Sequence, residues 1–212
     1  MSTKVKICGV TRLEDAELAA AGGAWAIGVV MWDGSPRRCP PDDAAEIAQA
    51  LRRRVEVAGV FVNAALDELV ATADAIPLTM LQLHGDEGPA YCAEAARATG
   101  LKIIKATQVR NAASVRDLAT FKTDFHLLDA HAEHAPGGTG ERFDWSLAAG
   151  HPSRPPVILA GGLRADNVAE GISAVRPFAV DTASGTESSP GIKDPDLMKA
   201  FFESVHDAAV SA

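Results

Sequence analysis

Val5-Lys6-Ile7-Cys8-Gly9-Val10-Thr11-Arg12-Leu13-Glu14, near the start of the chain, reads as one unit of strand, turn and helix. A short apolar run with a polar residue at alternate places stops at Gly9. Thr11 followed three residues later by Glu14 has the spacing of a capping box, the reciprocal side-chain caps of a helix start. On this reading a strand ends at Cys8, the chain turns at Gly9 and a helix begins near Thr11. Lys6 and Cys8 are two apart, so a strand puts them on one face. A thiol then stands at the carboxyl end of the first strand with an ammonium below it, and a nearby positive charge favours the reactive thiolate. The competing account is a structural cysteine, since a free thiol packs as a small hydrophobe.

Outward from this unit the same pattern recurs. Ala24 to Trp32 is an apolar run, followed by the loop Asp33-Gly34-Ser35-Pro36-Arg37-Arg38 and a helix near Asp43 to Arg53. Val55 to Val62 reads as the third strand, with Asn63 as the cap of a helix near Leu66 to Ala75. Thr79 to Leu83 is the fourth, ending in His84-Gly85; Pro89 opens the next helix and Gly100 closes it. Leu101 to Ala106 is the fifth strand, and Asn111 caps a helix to about Phe121. The sixth, Phe125 to Leu128, ends in Asp129; the seventh, Val157 to Ala160, ends in Gly161-Gly162; the eighth, Phe178 to Val180, ends in Asp181. Asp194-Pro195 starts the last helix. The strands are nearly continuous apolar runs, as parallel strands covered by helices are. Eight strand–helix units predict an α/β fold, a compact (β/α)8 TIM barrel formed as a single domain over residues 1–212. An open doubly wound sheet carries the same alternation, but the strand count favours the barrel. The least regular stretch, His131 to Arg142, reads as an active-site loop that includes His131 and His134.

Composition narrows the function classes. Hydrophobic content of 47% and charged content of 23% are those of a globular protein that fills a core. Three scattered cysteines argue against a disulfide framework and for a reducing, cytoplasmic setting. A strand begins within a few residues of Met1, which leaves no room for a signal peptide, and no apolar run approaches the roughly 20 residues of a membrane helix. A net charge of −8 argues against nucleic acid as a partner. An acidic protein can still bind a small anion, through an arginine or through backbone N–H groups at helix starts.

Barrel enzymes draw their chemistry from the carboxyl ends of the strands. The polar residues there are Cys8, Asp33 with Arg37, Asn63, Gln82 with His84, Asp129 and Asp181. Gly161-Gly162 and Asp181-Thr182-Ala183-Ser184-Gly185 follow strands seven and eight, the loops with which barrels often hold phosphate. Arg37 is suited to grip a carboxylate through two parallel hydrogen bonds, while Arg38 reads as a solvated surface charge. Trp32 reads as a packed aromatic that could also line the mouth. No zinc-ligand cluster is evident.

The chain resembles the phosphoribosylanthranilate isomerase family of tryptophan biosynthesis over nearly its whole length. The likeness rests on Lys6-Ile7-Cys8-Gly9, Ser35-Pro36-Arg37, Gly59-Val60-Phe61-Val62-Asn63, Leu81-Gln82-Leu83-His84-Gly85 and Leu127-Leu128-Asp129. It continues through Gly137-Gly138-Thr139-Gly140, Phe143-Asp144-Trp145, Ala160-Gly161-Gly162-Leu163 with Asn167-Val168, and Asp181 with Ser184-Gly185, Glu187, Pro190-Gly191 and Lys193-Asp194. The resemblance implies a compact (β/α)8 barrel and an Amadori rearrangement of N-(5-phosphoribosyl)anthranilate without a cofactor. It implies Asp129 as the general acid at the furanose oxygen and Cys8 as the general base at sugar C2. Arg37 would hold the anthranilate carboxylate. Independently of the resemblance, the shared strand face makes Lys6 the expected cause of a lowered Cys8 pKa. Gly161, Gly162, Ser184 and Gly185 would hold the phosphate, and Gln82, His84 and Asp181 would contact substrate. The expected partner is a phosphorylated small molecule, and the expected assembly a monomer or homodimer. Val29-Val30-Met31-Trp32 and Thr182 to Glu187 depart from the commoner family pattern but spare the implied acid, base and arginine. Related sugar-phosphate barrels fit less well. An epimerase would need paired acids and metal-binding histidines, and a synthase would need a lysine–glutamate pair that Lys105 alone does not supply. A binding protein without turnover would be expected to lack Cys8 or Asp129.

Overall fold

The computed structural model describes residues 2–130, 144–151 and 154–210. Eight parallel strands close a barrel in sequence order: β1 (Lys4–Cys8), β2 (Ala26–Val30), β3 (Glu56–Phe61), β4 (Met80–Leu83), β5 (Lys102–Val109), β6 (Phe125–Ala130), β7 (Val157–Leu159) and β8 (Ala179–Thr182). Helices α1 (Leu13–Ala21), α2 (Pro41–Ala50), α3 (Leu66–Ala75), α4 (Pro89–Thr99), α5 (Ala112–Asp117), α6 (Val168–Val175) and α7 (Pro195–Val210) alternate with the strands. The predicted barrel is the observed one. The predicted loop at His131 to Arg142 lies outside the described residues.

Strand pleating sorts the side chains. Outward residues such as Ile7, Ile27, Val57, Leu81, Ile103, Leu128, Leu159 and Val180 are buried against the helices. Alternate residues face the barrel axis. At its base these are small or apolar: Ala26, Ala58, Met80, Ile104, Leu127, Ile158 and Ala179, closed below by Trp25, Phe125 and Phe178. Alanines sit among larger aliphatic side chains in this layer, which fills the narrow ring. Two residues farther along each strand the inward set becomes Cys8, Gly28, Val60, Gln82, Ala106, Asp129, Ala160 and Asp181. β4, β6 and β8 therefore run from apolar at the base to polar at the mouth, while β1 carries Lys6 below Cys8.

Several local expectations give way to tertiary contacts. Thr11 does not cap α1; its hydroxyl donates to the Gly191 carbonyl (2.7 Å), tying the first turn to the far end of the chain. Arg12 takes the cap position without a capping side chain and pairs with Asp15 through Nε (3.0 Å) and Nη2 (2.7 Å). Asn63 does not cap α3, whose cap residue is Ala65. Its Oδ1 instead accepts from the Asp86 N–H at 2.7 Å. β2 is shorter than the apolar run because Trp25 belongs to the plug at the base. α5 passes into a 3₁₀ turn at Leu118–Thr120. Before β7, the described residues form a 3₁₀ turn, Trp145–Gly150, capped by Asp144. An antiparallel hairpin, β9 (Glu187–Ser189) with β10 (Ile192–Lys193), follows β8 and was not anticipated. Asn111 and Asp194 cap α5 and α7 as expected, each through a side-chain oxygen that accepts from two backbone N–H groups.

Candidate active site

A cavity of about 240 Å³ opens at the carboxyl ends of the strands. Cys8, Arg37, Gln82, His84, Asp129, Gly161, Gly162, Asp181 and Ser184 line it, and so does Trp32. Gly185 does not line the cavity; it is the contact between two loops. A Cβ there would meet the Leu163 carbonyl at 2.1 Å and the Thr182 hydroxyl at 2.7 Å. That hydroxyl donates to the same carbonyl, so the loops after β7 and β8 lock together beside Ser184. Asp33 and Asn63, the other polar residues at strand ends, lie outside the lining; Asp33 pairs with Arg38 on the surface.

Parallel pairing sets Lys6 level with Asp181 and Cys8 level with Gly28. The buried Lys6 ammonium donates to Asp181 Oδ1 at 2.9 Å. A Cβ on residue 28 would lie 2.8 Å from Cys8 Sγ and 3.1 Å from Lys6 Nζ. The bare Cα of Gly28 thus makes room for thiol and ammonium side by side. Burial works against the Lys6 charge, but Asp181 and Cys8 outweigh it and raise its pKa. The expected lowering at Cys8 is not found. Burial pushes the thiol up, Lys6 pulls it down, and Asp181 pushes with the burial. Burial is the largest influence, and the carboxylate that matches the Lys6 charge adds to it. Cys8 therefore rests as a thiol.

Across the mouth, His84 Nε2 lies 3.1 Å from Asp129 Oδ2. His84 Nδ1 lies 2.8 Å from the Gln82 amide nitrogen. Gln82 and His84 are two apart along the end of β4, and Asp129 stands near the end of β6. His84 therefore reaches the implied acid directly.

Arg37 is not a free guanidinium. Its Nε and Nη2 clasp Glu187, at 2.9 and 3.0 Å for Nε and 2.8 Å for Nη2. Only its other edge, with Nη1, is left for a ligand. Gly9 has φ +71, and a Cβ there would sit 2.6 Å from Arg37 Cδ, so a glycine both turns the chain and lets the arginine lie across it. Glu187 also accepts from the buried Lys193 ammonium at 3.0 Å. Lys193 in turn donates to the carbonyls of Cys8 (2.6 Å) and Ala183 (3.0 Å). Burial opposes the Glu187 charge, but Arg37 and Lys193 prevail and hold its carboxyl below the usual range.

A second buried pair supports the β4 end. Lys105 donates to Glu87 (2.8 Å) and to the carbonyls of Gly85 (2.7 Å) and Leu83 (3.3 Å). Glu87 also accepts from the N–H groups of Asn63 and Gly85, each at 2.8 Å. Sequence reasoning assigned no role to Glu187, Lys193 or Glu87. Lys105 did carry a signal, since it interrupts the run Ile103-Ile104-Lys105-Ala106. A lysine inside a buried strand demands a carboxylate partner. Among the described residues no group of three or more His, Cys, Asp or Glu side chains is placed to hold a metal ion.

The site can donate a proton from one wall and accept one at another, with glycine loops beside them. Comparison with known proteins converges on one chemistry. Residues 5–204 match the family model for N-(5'-phosphoribosyl)anthranilate (PRA) isomerase. The N-(5'-phosphoribosyl)anthranilate isomerase of Citrifermentans bemidjiense is 48% identical over 197 residues, covering 93% of this chain and 94% of the relative. The crystal structure of phosphoribosyl anthranilate isomerase from Thermus thermophilus superposes with a TM-score of 0.86 at 37% identity, over 97% of this chain and 99% of that one. A phosphoribosyl anthranilate isomerase in complex with reduced 1-(o-carboxyphenylamino)-1-deoxyribulose 5-phosphate gives 0.83 at 35% identity, over 97% and 99% of the two chains.

Proposed function

The chain belongs to the N-(5'-phosphoribosyl)anthranilate isomerase family, and from that premise we propose which of its residues carry each step. The protein is an isomerase of tryptophan biosynthesis. It converts N-(5-phosphoribosyl)anthranilate to 1-(o-carboxyphenylamino)-1-deoxyribulose 5-phosphate, an aldose–ketose change within one molecule.

Asp129 delivers a proton to the furanose ring oxygen. The C1–O bond breaks as the anthranilate nitrogen donates its electron pair, which leaves an open-chain iminium. Cys8 then takes the proton from C2, and the electron pair of that C–H bond neutralises the iminium to an enolamine. Tautomerisation returns a proton to C1 and leaves the ketone at C2. A thiol is not itself a base, so Cys8 must first lose its own proton, and the iminium is a cation formed beside it. That charge adds to the pull of Lys6 and favours the thiolate, the S–H proton leaving to solvent through the open cavity mouth before C2 is deprotonated. The loops at Gly161-Gly162 and Ser184 seat the phosphate, and the free edge of Arg37 meets the anthranilate carboxylate. Asp181 and Gln82 bound the sugar between them. The substrate is a phosphorylated small molecule, and the acidic net charge of −8 fits a protein that meets anions only locally, without nucleic acid. No described helix is long and apolar enough to cross a membrane. A cytoplasmic monomer or homodimer completes the reading.

The observation that carries it is the joint presence of Cys8 and Asp129 in the lining of one cavity, with the two glycine loops in the same lining. The test is turnover of freshly prepared phosphoribosylanthranilate, followed by loss of its fluorescence. Absence of turnover by the folded protein would overturn the reading.

A further inference from the structure

Gln82 is fully buried in the barrel interior, where its neighbours on the same strand are apolar. Its Oε1 has no hydrogen-bond partner among the described residues. A buried carbonyl oxygen without a partner in the protein is unfavourable, and a methionine or leucine would fill the same space without it. The amide's other atom explains its presence: Nε2 lies 2.8 Å from His84 Nδ1. An amide nitrogen only donates. With the amide in this orientation, the ring nitrogen facing it carries the lone pair. A neutral imidazole has one proton, so that proton sits on Nε2, which faces Asp129 Oδ2 at 3.1 Å.

We infer that Gln82 is a positioning residue that fixes the tautomer of His84 and so makes His84 a hydrogen-bond donor to Asp129. The inference rests on Asp129 as the acid of the proposed reaction. With Oδ2 held by an N–H group, the proton that Asp129 transfers is carried on Oδ1. As it leaves, negative charge grows on the carboxylate and the bond from His84 strengthens. That interaction is greater in the transition state than in the ground state, which is the condition for catalysis. If the imidazole were reversed, its lone pair would face the forming carboxylate and oppose proton release. Gln82 and His84 thus act on the acid, in addition to bounding the cavity.

Nitrogen-15 NMR of histidine-labelled protein, without substrate, reads the tautomer directly. His84 is assigned by loss of its signals in His84→Asn. The wild type is expected to show neutral His84 protonated at Nε2. Gln82→Met, which keeps the volume, is expected to give a mixture of tautomers. Gln82→Glu, whose carboxylate only accepts, is expected to move the proton onto Nδ1. In turnover, Gln82→Met is expected to lower kcat about 10- to 100-fold, less than loss of a whole general acid, and to change KM less than about threefold. Wild-type His84 protonated at Nδ1 would overturn the inference, whatever the variants do. So would Gln82→Met with an unchanged tautomer or with full kcat. The spectrum needs no substrate, so it stands or falls separately from the assay of the reaction itself.

Discussion

Gly28 gives Cys8 and Lys6 the space in which they meet, and the thiol's environment follows from that contact. In Gly28→Ala the new methyl group would fall 2.8 Å from Sγ, closer than real Cβ contacts, so the thiol must move. Overpacking of this kind costs about 1–3 kcal/mol, and a displaced base lowers kcat more than it changes phosphate affinity. Urea unfolding together with steady-state turnover checks both; a variant of full activity and stability would remove Gly28 from the argument. Cys8→Ser keeps the shape and removes the thiolate that accepts the proton. Its kcat is expected to fall about 10²- to 10⁴-fold, with inorganic phosphate inhibiting as in wild type. Asp129→Asn cannot release a proton and is expected to fall by a similar factor. Because the two residues serve consecutive steps, the double variant is expected to lose less than the product of the two factors. Position-by-position reading reached Cys8, Asp129 and Arg37 because each follows an apolar run at the place where a barrel does its chemistry. It did not reach the state of the thiol, because Asp181, the partner that absorbs the Lys6 charge, lies 175 residues away in sequence.

The β9–β10 hairpin is the element through which the far end of the chain braces the first turn. Thr11 bonds to its tip at Gly191, Glu187 on β9 clasps Arg37, and Lys193 on β10 holds the carbonyl of Cys8. No periodic pattern marks two strands of three and two residues, so the hairpin was illegible until the structure paired them. For the same reason the Thr11–Glu14 spacing misled: the hydroxyl had a better acceptor, brought to it by the hairpin. The long strands were legible because burial on both faces makes them continuous apolar runs. Glu187→Gln tests the hairpin. It keeps the shape but leaves Arg37 and the buried Lys193 without their carboxylate. Breaking a buried ion pair costs about 3–5 kcal/mol. For a chain of 212 residues that is a Tm lower by roughly 6–20 °C. The KM for phosphoribosylanthranilate is expected to rise as Arg37 loses its fixed orientation. A thermal scan within a degree or two of wild type would show that the cluster contributes nothing net to stability.

At the scale of the whole molecule, response to acid separates the outer wall of the barrel from its mouth. His126 on β6 is fully buried, and its Nδ1 lies 2.9 Å from Nε2 of His151, the residue that follows the Trp145–Gly150 turn. Burial, with His151 adding to it, lowers the pKa of His126 to about 4. An unfolded histidine titrates near 6.5. Below that pH the unfolded chain takes up a proton that the folded chain refuses, so stability is full above about 6.5 and declines as the pH falls towards 4. The expected loss over that window is on the order of 1–3 kcal/mol. Glu187 acts lower down. Its depressed pKa contributes stability that is present above the ordinary glutamate value near 4.3 and lost as the pH falls below it. Urea midpoints measured from pH 7.5 to 3.5 should therefore fall in two ranges with different owners. His126→Gln is expected to flatten the upper range and leave the lower one. Glu187→Gln is expected to leave the upper range and to shrink the lower one, to which the Lys102-paired Glu56 also contributes, at a lower overall stability. A wild-type midpoint that stays level between pH 6.5 and 4.5 would mean that His126 is protonated as readily in the fold as outside it, and the outer wall would then have no part in the acid response.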